Sequence, residues 1–119
     1  MSAQYHYGRR KEYQIGEFLK RRGFFWYRSP GSRGAGDIVA KKRNKVWFIQ
    51  VKATRKDLIS YTRLTIEEEE ELIKVAKKYK ADPILALVSR YFVGFFSVPE
   101  GKLLRKGELR ALKYDYLDK

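Results

Sequence analysis

Apolar and polar residues recur along the chain with two different periods, and the places where the period changes mark out the elements. Over residues 9–22, Ile15, Phe18 and Leu19 stand at i, i+3 and i+4, which predicts a helix with one apolar stripe, and Gly23 is placed to stop it. The aromatic-rich run Phe24–Arg28 predicts a strand. Residues 29–36 (SPGSRGAG) form a basic loop rich in glycine. A short strand over Asp37–Ala40 and a basic turn over Lys41–Lys45 follow. Val46–Ala53 (VWFIQVKA) is apolar on both faces and is expected at the centre of a sheet.

After a polar connection over residues 54–64, Thr65-x-x-Glu68 reads as a capping box that opens a second helix ending near Lys80. Its apolar stripe is Ile66, Leu72, Ile73, Val75, Ala76 and Tyr79. Pro83 blocks continuation, and strands are expected over Ile84–Ser89 and Tyr91–Val98. The order α-β-β-β-α-β-β describes an α/β fold, a central mixed sheet of about five strands flanked by helices. One domain over residues 1–119 is expected, with a core over about 8–97. The tail over 98–119 mixes Leu and Lys and fits either a short helix or a strand.

Composition adds a partner. The 119 residues carry 27 Lys+Arg against 14 Asp+Glu, a formal charge of +13, and residues 1–63 hold 16 basic and 4 acidic side chains. A basic half on a folded domain points to a polyanion, nucleic acid above all. With no cysteine and one histidine, thiolate zinc sites, a cysteine nucleophile, a Ser-His triad and multi-His metal sites are excluded. No apolar run approaches membrane-spanning length and no secretory signal opens the chain, so no membrane partner is expected. The expected location is intracellular, in the cytoplasm and associated with the nucleoid, with cellular or viral origin left open.

Chemistry concentrates around the predicted central strand. Side chains alternate across a strand, so Gln50 and Lys52 share a face that apolar residues would fill better. An unpaired buried amide costs roughly 1–3 kcal/mol and a buried ammonium more. Asp37, at the mouth of the neighbouring strand, is the expected partner. A carboxylate, an amide oxygen and a backbone carbonyl make an all-oxygen site for a hard cation such as Mg²⁺, beside a lysine able to stabilise phosphate charge. On the first helix Glu12 falls within about 60° of Ile15 and Leu19 and faces the sheet, whereas Glu17 faces water. Glu12 is therefore a further candidate ligand; the alternatives are an ion pair with a basic neighbour such as Arg9, and a purely structural Asp37–Lys52 pair.

These residues carry a resemblance. Glu12, the stretch Arg28-Ser29-Pro30-Gly31-Ser32, Asp37 and Gln50-Val51-Lys52 resemble the core of the PD-(D/E)xK nucleases, a restriction-endonuclease-like fold. More closely, they resemble the archaeal and viral Holliday junction resolvases of the Hjc type, in order and spacing over about residues 8–97. The resemblance implies a metal-dependent endonuclease that cuts four-way, branched double-stranded DNA as a homodimer and leaves 5′-phosphate ends, with no small-molecule cofactor. It implies that Glu12, Asp37 and Gln50 hold Mg²⁺, or Mn²⁺ in its place, with the Val51 carbonyl as a further ligand. Lys52 would be the catalytic lysine, with Arg28, Ser29 and Ser32 beside the scissile phosphate. Three positions depart from the pattern: Gly36 stands where the wider superfamily has Pro, Gln50 replaces an acidic residue, and Tyr13 stands where those resolvases place Arg.

The remaining cations fit a DNA track. Arg9, Arg10 and Lys11 open the first helix, Arg28 and Arg33 flank the glycine-rich loop, Lys41, Lys42, Arg43 and Lys45 form a turn, and Arg55, Lys56 and Arg63 follow the central strand. The Glu67–Glu71 run is expected to complement the dipole of its helix. The aromatics Phe24, Phe25, Trp26, Trp47 and Phe48 are expected in the core or a dimer contact. Tyr91, Phe92, Phe95 and Phe96 are expected to expose an aromatic row suited to a subunit interface. Two other readings stay open: another PD-(D/E)xK nuclease acting on flaps, duplex or damaged DNA or in a restriction-like way, and a catalytically weak DNA-binding relative.

Overall fold

The computed structural model describes residues 3–29, 37–54, 64–89 and 91–109. Helix α1 (Ala3–Lys20) begins six residues before the predicted start. Helical propensities differ by only about 0.7 kcal/mol among ordinary residues, so a helix can extend past its apolar stripe. It stops as expected, with Gly23 at φ 90° and the Phe24 N–H reaching back to the Leu19 carbonyl at 3.0 Å. That closure is the usual way a glycine-ended helix satisfies its last carbonyls.

Strands β1 (Phe25–Arg28), β2 (Asp37–Lys42) and β3 (Lys45–Ala53) follow. The predicted basic turn shrinks to Arg43 and Asn44, because Lys42 pairs with Lys45 across the hairpin. Helix α2 (Ile66–Lys78) leads to β4 (Asp82–Val88), β5 (Phe92–Ser97) and β6 (Leu103–Glu108). The strands form one sheet in the order β1-β2-β3-β4-β5-β6. Only β3 and β4 run parallel, and they are joined through α2, since parallel neighbours require a crossover connection. The sheet is mixed, as expected, with six strands in place of about five. The sixth, β6, lies in the tail and pairs with β5.

The sheet separates two apolar clusters. On one face Ile15, Phe18 and Leu19 of α1 pack against Ile38, Trp47, Ile49, Val51 and Phe95. On the other, Leu72 and Ala76 of α2 pack against Val39, Phe48, Leu85, Leu87 and Phe96. β3 feeds both clusters, which explains its two apolar faces and its place inside the sheet. α1 sits close enough to β1 that a Cβ on Gly16 would stand 2.1 Å from the Trp26 ring, a contact only glycine permits.

Several expectations are corrected. Phe95 and Phe96 are buried in opposite clusters, so with Phe92 half-buried and Tyr91 exposed no aromatic row forms. Alternation sends adjacent residues to opposite faces, and here both faces are covered. Phe24, Trp47 and Phe48 are buried, whereas Phe25 is 66% exposed on an edge strand. Ile66 is 69% exposed because it is the first residue of α2, ahead of the turn that meets the sheet. Glu17 is half-buried and not fully in water. No helix among the described residues is long and apolar enough to cross a membrane.

Candidate active site

β3 carries the centre of the site. Its residues alternate between the clusters, with Trp47, Ile49 and Val51 toward α1 and Phe48 toward α2. Gln50 and Lys52 therefore fall on the α2 side. The antiparallel register sets Asp37 directly across from Gln50, the juxtaposition the sequence predicts. Gln50 is half-buried and lines a groove of about 300 Å³ with Phe48, Leu72, Val75 and the carboxylates Glu67, Glu68 and Glu71. The side chain of Asp37 lies outside the described residues.

Lys52 is 39% exposed and its Nζ donates to Oε2 of Glu68. Glu68 was read from the sequence as the capping-box residue and as part of a run complementing the helix dipole, and the first turn of α2 does hold Glu67, Glu68 and Glu69. It has a second task. Thr65 is the N-cap of α2, its hydroxyl accepting from the Glu68 N–H at 3.1 Å. The Thr65 N–H donates in return to Glu68 Oε1 at 3.0 Å. One oxygen of Glu68 is thus fixed by the cap and the other holds Lys52. These bonds, first that from Lys52 and then that from Thr65, keep the carboxyl below its usual value of 4.5. The capping box was the signal available in the sequence; it locates Glu68 on its helix but says nothing of a contact sixteen residues away.

Glu12 approaches from the opposite face. It faces the core as the helical wheel predicts and is 1% exposed. Its partner is Arg28, whose Nε donates to Oε1 at 2.6 Å. β1 presents alternate residues to α1, so Trp26 covers Gly16 while Arg28, two positions on, meets Glu12. Ser29, also buried, has its Oγ 3.2 Å from the Tyr79 hydroxyl at the end of α2. The structure thus brings Gln50 and Lys52 together on one face with Asp37 in register, and places the Glu12–Arg28 pair on the other.

Of the cations read as a DNA track, Arg10 is exposed but Lys11 is buried on α1. That corrects the expectation that Arg9, Arg10 and Lys11 open α1 and all face DNA: α1 begins at Ala3, and successive helical residues turn by about 100°, which carries Lys11 onto the sheet side. The side chain of Arg9, and Ser32, Arg33, Arg55, Lys56 and Arg63 entirely, lie outside the described residues. Lys41, Arg43 and Lys45 are exposed at the β2–β3 turn, the far end of the hairpin from Asp37 and Gln50.

The donors near the hairpin mouth are oxygens: the Gln50 amide, the Asp37 position and backbone carbonyls such as that of Val51. That set fits a hard cation, and Mg²⁺ takes only one or two carboxylates while keeping several waters. Among the described residues no three His, Cys, Asp or Glu side chains gather to hold a metal.

Comparison with known proteins gives three results. Residues 3–110 match the family model described as archaeal Holliday junction resolvase (Hjc). A crossover junction endodeoxyribonuclease of Sulfolobus islandicus rod-shaped virus 1 is 27% identical over 84 residues, covering 67% of this chain and 69% of that protein. The structure of Archaeoglobus fulgidus Hjc, a Holliday junction resolvase from an archaeal hyperthermophile, superimposes with a TM-score of 0.62 at 25% identity. It covers 83% of this chain and 86% of that one.

Proposed function

Because the chain belongs to the archaeal Holliday junction resolvase family, we propose that it is a Mg²⁺-dependent endonuclease that resolves four-way DNA junctions, acting as a homodimer. The observation that carries this reading is Asp37 set across from Gln50, with Lys52 two residues further along the same face of β3, inside a chain that matches the family over residues 3–110.

Asp37 and Gln50 would hold the ion, with the Val51 carbonyl as a further donor; Glu12, expected from the sequence as another ligand, is left out of this set because it pairs with Arg28 on the α1 face of the sheet. When bound, Mg²⁺ polarises a phosphoryl oxygen and favours deprotonation of a water. The chain's own contribution is placement and charge. Lys52, on the groove side of β3, stabilises the negative charge that develops as water attacks phosphorus and the P–O3′ bond breaks. The result is a 5′-phosphate and a 3′-hydroxyl. The exposed cations hold the arms through phosphates without reading sequence, which suits a substrate recognised by shape.

A four-way junction and a linear duplex of the same sequence, each incubated with Mg²⁺ or Mn²⁺, test the reading. Paired, symmetric cuts in the junction and an intact duplex are expected, and Asp37→Ala should abolish cutting while leaving junction affinity within about threefold. Equal cutting of both substrates would replace the resolvase with a general nuclease. A second reading, a catalytically weak DNA-binding relative, is favoured by the neutral amide at Gln50; a gain in rate in Gln50→Glu would support it. Light scattering with and without junction tests the homodimer.

A further inference from the structure

Lys52 needs a fixed direction to act on a phosphate, and β3 does not supply one. Its stem has four rotatable bonds and its head is strongly hydrated. The neighbour on its own face, Gln50, is an uncharged amide. What fixes the ammonium comes from α2.

We propose that Glu68 is a positioning residue for Lys52, holding the ammonium at the mouth of the groove beside Gln50 through a carboxylate whose other oxygen is tied to the cap of α2. Three observations support this. Lys52 Nζ donates to Glu68 Oε2. Glu68 Oε1 accepts from the Thr65 N–H at 3.0 Å, so the carboxylate is not free to follow the lysine. Glu68 and Gln50 line the same groove. The pair is about one-third exposed on each side, and exposed pairs add little to folding; its effect lies in where it puts the charge. Neutral Gln50 leaves the strand without a charge partner for Lys52, and Glu68 supplies it from the helix. The inference rests on Lys52 acting in cleavage.

Glu68→Gln separates the two jobs of this residue. Glutamine serves in a capping box as glutamate does, so the helix start is kept while the charge that holds Lys52 is lost. Single-turnover junction cleavage at saturating protein is measured for wild type, Glu68→Gln, Thr65→Ala and Lys52→Ala, with junction affinity, melting temperature and a Mg²⁺ titration for each. The expected result is at least a tenfold slower cleavage step in Glu68→Gln, with affinity within twofold and an unchanged Mg²⁺ midpoint. Thr65→Ala, which loosens the cap but keeps the Lys52 contact, should melt earlier yet lose less than threefold in rate. Wild-type rates in Glu68→Gln beside an inactive Lys52→Ala overturn the positioning role alone. So does a rate loss that excess Mg²⁺ restores, since Glu68 would then be acting on the metal. If Lys52→Ala cuts like wild type, Lys52 is not the catalytic lysine, and the assignment of the site fails with it.

Discussion

A carboxylate buried as completely as that of Glu12 is tolerated because Arg28 donates a charge-assisted hydrogen bond to it at 2.6 Å. The pair joins α1 to β1 next to the contact of Trp26 with Gly16. Glu12→Ala removes the acceptor while Arg28, about one-third exposed, keeps access to water. A loss of about 1–3 kcal/mol is expected, below the cost of breaking a fully buried pair, and urea denaturation measures it. The inward direction of Glu12 was legible in the helical wheel, but Arg28 was not, because the two sit on different elements. Gln50 and Lys52 were legible as polar residues interrupting an apolar strand. The contact of Glu68 with Lys52 was hidden, because the capping box and the helix dipole already account for a glutamate at a helix start.

At the scale of elements, α2 was the most readable, since Thr65-x-x-Glu68 marks its start and the capping box is present. The cap also carries a pH dependence. Glu68 has a carboxyl held below 4.5 in the folded chain, so its contribution to stability is present at and above that pH. It is lost as pH falls through the depressed value. Between pH 6 and pH 3 the urea midpoint of Glu68→Gln should therefore fall less steeply than that of wild type; parallel curves would remove Glu68 from the acid response. β6 was the least readable element. It is an edge strand, mostly exposed, with Leu103 and Leu104 adjacent and both in solvent. Its backbone ladder with β5 leaves no apolar alternation in the sequence.

Over the whole molecule, part of the basic excess of residues 1–63 gathers at the end of the β2–β3 hairpin away from Asp37 and Gln50. Asp37 and Gln50 stand at one end of β2–β3, and Lys41, Arg43 and Lys45 are exposed at or beside its turn. About five strand residues, roughly 17 Å, lie between. Lys20, which ends α1, and Arg21 after it are exposed too, beside Arg22, whose carbonyl accepts from Lys42 Nζ at 2.7 Å. Charges so far from the cut can hold DNA without taking part in the chemistry. The triple variant Lys41→Ala, Arg43→Ala, Lys45→Ala should bind junctions more weakly, with a salt dependence shallower by about one unit per lost phosphate contact. Its single-turnover rate at saturation should stay within twofold of wild type. A lowered rate with unchanged affinity would place these cations at the reaction instead. The charge imbalance was plain in the sequence, whereas the distance of these cations from Asp37 and Gln50 depends on the hairpin register.

The position of β3 has a consequence for how the site is kept in working order. Over residues 47–50 β3 pairs with a strand on each side, and side chains from α1 and α2 cover its two faces. The amide protons of that stretch are expected to exchange with solvent only through cooperative opening of the sheet. The backbone at Gln50, where Asp37 stands in register, is therefore as durable as the sheet itself. Fraying at the edges, at β1 or β6, can proceed without undoing the register of Asp37 against Gln50.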